Sequence, residues 1–61
     1  MDTVETFVNG LILASTEGRE PMTYDDAFTC ISEWIREGVE IPKDLTARKL
    51  ADLWNNGIKN N

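Results

Sequence analysis

Between Tyr24 and Ile35 the apolar residues Tyr24, Ala27, Phe28, Ile31, Trp34 and Ile35 recur three and four positions apart. That spacing lines them up along one side of an α-helix, whereas on a strand they would scatter over both faces. Thr23, followed three residues later by Asp26, has the spacing of a capping box with Asp in the place of Glu. Gly38 supplies a residue that tolerates the left-handed conformation in which helices commonly stop. A helix over 23–37 follows, and any fold open to this chain has to deal with its apolar stripe.

Two further segments read the same way. Asp2 and Glu5 again have capping-box spacing and open a helix over about 2–16, with Val4, Phe7, Val8, Leu11, Ala14 and Ser15 facing inward. Ile12 widens that stripe at one edge, and Leu13 falls off it. Gly10 inside this helix is either a tolerated imperfection of about 1 kcal/mol or a place where a neighbouring helix comes close. Gly18 and Pro21 break the helix. The short break predicts that the second helix folds back on the first as a hairpin, with Met22 stapled onto Ala27 or its neighbours.

After Gly38, Pro42 holds Ile41 extended, and Val39 and Ile41 read as apolar plugs on a linker. Asp44 or Thr46 then caps a third helix over about 45–56. Its stripe is Ala47, Leu50, Ala51, Trp54 and Ile58, with Gly57 as terminator and Leu53 off the stripe. The expected architecture is all-α: one domain over residues 1–61, a helical hairpin with a third helix packed across it. Trp34 and Trp54 are expected to share one core, each near its edge so that the indole N–H finds a partner.

Short chains bury little and commonly gain stability from a disulfide, a metal or a partner subunit. Cys30 is the only cysteine and histidine is absent. Cys30, beside the stripe, reads as structural rather than reactive. A partner subunit is what remains, so self-association is expected, most simply as a symmetric dimer. A single cysteine suits a reducing compartment, and the acidic opening Met1-Asp2-Thr3-Val4-Glu5 lacks the basic start of a signal peptide. The longest apolar run, Leu11 to Ala14, is too short for a membrane span. A soluble, cytoplasmic protein is expected.

The net charge is −5, from 11 acids and 6 bases. Residues 1–42 hold nine acids against Arg19 and Arg36, and residues 43–61 hold four bases against Asp44 and Asp52. An acidic body is repelled by phosphate, which argues against general nucleic-acid binding. Without histidine, neither a Ser-His-Asp nor a Cys-His arrangement can be built. No glycine-rich phosphate loop and no EF-hand spacing is present. Asp25 and Asp26 sit in the first turn of the second helix, where the helix dipole favours anions. Glu33, Glu37 and Glu40 read as a solvated outer face. No enzyme activity, cofactor or metal is expected.

The stretch Leu45 to Trp54 resembles the opening helix of helix-turn-helix domains, where a capping Thr precedes a pattern like Ala-x-x-Leu-Ala, and Asn55-Asn56-Gly57 resembles the turn. The resemblance implies DNA binding through Lys43, Arg48 and Lys49. It departs from that pattern where the recognition helix should follow, since only Ile58 to Asn61 come next. The hinge from Trp34 to Pro42 resembles the short helix–turn–helix hairpins of bacterial antirepressors. In size, acidity and lack of catalytic residues the chain is similar to small inhibitors carried by phages and mobile elements.

The expectation is a non-enzymatic, acidic protein-binding module, a regulator or inhibitor that occupies the surface of another protein. The acidic face Asp25, Asp26, Glu33, Glu37 and Glu40 would meet a basic partner, and the off-stripe Leu13 and Leu53 are the apolar contact candidates. The alternatives are a helix-turn-helix-like DNA binder and a structural subunit of an assembly.

Overall fold

The computed structural model describes residues 2–15 and 20–59. It contains three helices packed together, α1 (Thr3–Ala14), α2 (Tyr24–Glu37) and α3 (Ala47–Lys59). The described residues include no strand. The Gly18 stop lies outside the described residues.

Local chemistry sets the helix ends. Asp2 caps α1 by accepting from the Val4 backbone N–H at 3.0 Å. At α2 the capping box closes in both directions: Asp26 N–H donates to Thr23 Oγ1 at 3.0 Å, and Thr23 N–H donates to Asp26 Oδ2 at 3.3 Å. Gly38, at φ 78°, ends α2 in the left-handed conformation, and the Val39 N–H returns to the Trp34 carbonyl at 2.9 Å. Thr46 rather than Asp44 caps α3, its Oγ1 accepting from Lys49 N–H at 3.2 Å.

The helices are arranged differently from a hairpin crossed by a third helix. α3 packs against both α1 and α2, while the backbones of α1 and α2 stay more than 8 Å apart. They are bridged by an edge-on contact of the Phe7 and Trp34 rings, with centroids 5.6 Å apart and planes at 79°. The reason lies in the shape of α3. Leu50 and Ala51 are buried, and on one flank Gly57 leaves room for the Ile12 side chain of α1. A Cβ at Gly57 would collide with Ile12 Cδ1, whereas one at Gly10 would meet open space. The close approach is therefore at Gly57, which lies inside α3 instead of ending it, and α3 runs on to Lys59.

The core comprises Val4, Val8 and Ile12 of α1, Ala27 of α2, Leu45, and Leu50 and Ala51 of α3. On α1 the buried row steps by four residues through Ile12, so Ala14, expected inside, is exposed. Trp34 and Trp54 both pack on this core, half-buried. Of the two linker plugs only Ile41 packs on the core, and Val39 is exposed. Leu45 is the buried plug, held by a turn in which its N–H donates to the Pro42 carbonyl at 3.1 Å.

Candidate functional site

On its other flank α3 grips the segment leading into α2. The Asn55 side chain bonds both polar groups of the Met22 backbone: Oδ1 accepts from Met22 N–H at 2.7 Å and Nδ2 donates to the Met22 carbonyl at 2.9 Å. Trp54 Nε1 donates to the Glu20 carbonyl at 2.8 Å, and the Tyr24 hydroxyl donates to Asp52 Oδ1 at 3.2 Å. This clamp anchors the first turn of α2 against α3. Within α2 only Ala27 is fully buried, its methyl small enough for the helices to come close, and Cys30, Ile31 and Trp34 pack partly on the core.

What remains of the α2 stripe faces outward. Phe28 is 66% exposed and Ile35 64%, with Tyr24 and Val39 exposed beyond them at the two ends. In helical projection Tyr24, Phe28 and Ile35 form a row with the half-buried Ile31 along one edge. Together Tyr24, Phe28, Ile35 and Val39 present on the order of 400 Å² of apolar side chain. That is the size range, about 300–600 Å², in which the largest apolar patch of a monomer often serves as an interaction surface. Asp25 and Arg36 lie on the same flank of the row, one near each end, while Asp26, Glu33 and Glu37 project from the opposite side of the helix.

The five acidic candidates are all exposed, but they do not form one surface. Asp26 has one carboxylate oxygen committed to the capping box. Glu40 lies beyond Gly38 and lines a hollow of about 500 Å³ with Thr3, Thr6 and Phe7 of α1 and Ile41 and Pro42. Only Glu33 and Glu37 extend the Asp26 side of α2. Among the described residues no group of three or more Asp, Glu or Cys side chains is placed to hold a metal ion. Burial pushes the Cys30 thiol above its ordinary pKa, and the nearby carboxylates of Glu33 and Asp26 push the same way. A thiol held protonated is a poor nucleophile.

Leu13 and Leu53, predicted separately, come together. Both line an open groove of about 540 Å³ between α1 and α3, with Ile12 and Gly57 beneath them and Glu5, Asn9 and Asn56 around them. They differ in environment: Leu13 is 77% exposed, whereas Leu53 is half-buried against the core because α1 covers that flank of α3. Lys43, Arg48 and Lys49 are exposed. The Asn55-Asn56-Gly57 stretch that resembles a helix-turn-helix turn is helical, so the turn that the resemblance implies is not present there. Among the described residues no helix is long and apolar enough to cross a membrane. No family model, curated protein or solved structure matches the chain.

Spacing alone puts the stripe on α2 without telling which of its edges is buried, and it does not reveal the Asn55 clamp. The available signal was weak: Asn55 sits at the edge of the α3 stripe, beside Ala51 and Trp54, where a buried polar group has to find partners.

Proposed function

We propose that this chain is a non-enzymatic protein-binding module that docks through the outward face of α2 and acts as a regulator or inhibitor by occupying another protein's surface. The observation that supports the reading is the row of Phe28 and Ile35, flanked by Tyr24 and Val39, left uncovered on a helix that is itself capped and clamped at its start. A rigid helix presenting apolar side chains one and two turns apart suits insertion into a hydrophobic groove. The carboxylates of Asp26, Glu33 and Glu37, on the far side of α2, add only a long-range, salt-screened attraction to a basic partner and make no contact at its rim.

Site-specific photo-crosslinking in the source cell tests this. A photoreactive residue at position 28 is expected to give a protein adduct that disappears when Ile35→Asp is added; the same probe at position 48 should give none. Adducts to nucleic acid from position 48, together with salt-sensitive binding of duplex DNA, would replace this reading with DNA recognition through Lys43, Arg48 and Lys49. Absence of any protein adduct from position 28 would overturn it.

A further inference from the structure

The α2 row has an internal symmetry that its apolar character alone does not require. Phe28 and Ile35 are equidistant from the midpoint between Ile31 and Ser32, with Tyr24 one turn beyond Phe28 on the helix and Val39 just past the Gly38 stop at the other end. A helix with such a row meets a copy of itself, run antiparallel about a twofold axis at that midpoint, with Phe28 opposite Ile35 in both directions. We propose that the occupant of this face is a second copy of this chain, paired antiparallel through α2; the proposal rests on the reading of α2 as a protein-docking face.

Charge and area both favour this occupant. Asp25 and Arg36 are eleven residues apart, three helical turns to within about 20°, so they share one flank of the row. A twofold axis perpendicular to the plane of the two helices keeps that flank on one side of the interface in both copies. It brings Asp25 of each copy to within about 3 Å, along the axis, of the level of Arg36 of the other. Two reciprocal ion pairs then close the ends of the row. Asp26, Glu33 and Glu37, which would repel their counterparts, point away from the interface. The four exposed apolar residues expose on the order of 800 Å² in both copies together, the most that pairing could bury from them, before Ile31, Ser32 and the Asp25 and Arg36 stems are added. That total approaches the roughly 1,000 Å² that a specific interface needs. In a parallel pairing the twofold axis would run along the helices and put the two copies of this flank on opposite sides of the interface, so Asp25 and Arg36 would find no partner across it.

Sedimentation equilibrium of the full chain, with circular dichroism on each variant, tests both occupant and register. Wild type is expected at the mass of two chains at micromolar concentration. Phe28→Asp should sediment as one chain with an unchanged helical spectrum, an affinity loss of at least about 100-fold. Asp25→Arg and Arg36→Asp alone should each weaken association roughly tenfold by placing like charges at both ends. The double variant should recover most of that loss, and the two single variants mixed should pair with each other. A monomeric wild type, or a dimer that survives Phe28→Asp, overturns the second copy as occupant. A double variant no tighter than the singles overturns the antiparallel register. Crosslinking at position 28 keeps this failure apart from that of the docking reading: an adduct with a different protein from a monomeric chain leaves docking intact and removes self-pairing.

Discussion

Helices α2 and α3 carry apolar stripes of the same spacing, and they meet different fates. α3 has a neighbour on each flank: α1 lies against Leu53 and Gly57, and the lead-in to α2 is bonded to Asp52, Trp54 and Asn55. Its Leu50 and Ala51 are fully buried in consequence. α2 has α3 on one side only, so one edge of its stripe is core and the other, through Phe28 and Ile35, faces outward. Helical periodicity marks which residues need cover; the number of neighbours decides which of them receive it inside one chain.

The largest expected effect separates the two helices directly. Leu50→Ala should destabilise the fold by about 2–5 kcal/mol in denaturant unfolding, because it opens a cavity at the centre of the core. Phe28→Ala, measured at a concentration where the chain is monomeric, should change stability by less than about 1 kcal/mol. Equal losses at the two positions would mean that both faces of α2 are covered within a single chain.

Next in size is the clamp. Asn55→Ala removes two hydrogen bonds and leaves the part-buried Met22 N–H and carbonyl without them, so a loss of about 1–3 kcal/mol is expected. Amide hydrogen exchange should show the first turn of α2 losing more protection than its last turn.

A smaller effect sharpens the contact between α1 and α3. Gly57→Ala gains about 1 kcal/mol of helix propensity but forces Ile12 Cδ1 to move. In an Ile12→Val background that methyl is gone, so the same substitution should be more favourable than in wild type by about 0.5–1 kcal/mol. Additivity in this double-mutant cycle would show that the two positions do not meet.

The smallest effect concerns Cys30. Its thiol pKa is raised in the folded state by burial, Glu33 and Asp26, so alkylation at pH 8 should be slower than for a free cysteine and should speed up in urea. The raised pKa also means that the unfolded chain loses this proton first, so stability should fall as the pH rises past the ordinary thiol range.

The features that could be read from the residues alone are those decided within four or five positions: the three helices, the caps at Asp2 and Thr23, a cap for α3 at Asp44 or Thr46, and the left-handed stop at Gly38. What could not be read depends on which helix lies against which. A glycine after an apolar stripe looks like a terminator, and Gly57 became an interior contact only because Ile12 of a distant segment occupies the space. Leu53 looked stray because the flank that α1 covers is not encoded in the spacing of α3. The α2 row was visible as a stripe, and its exposure followed from the helix arrangement. The carboxylate of Asp25 and the guanidinium of Arg36 are legible as charges, but their shared flank acquires meaning only once the neighbouring row is known to be uncovered.

Because α1 and α2 each lean on α3 and meet one another at Phe7 and Trp34, the helix made after these two is the one that holds them together. Until it emerges, the earlier helices lack their main packing surface and α2 lacks the Asn55 tether. The outward row on α2 therefore acquires a fixed platform only once α3 is in place beside it.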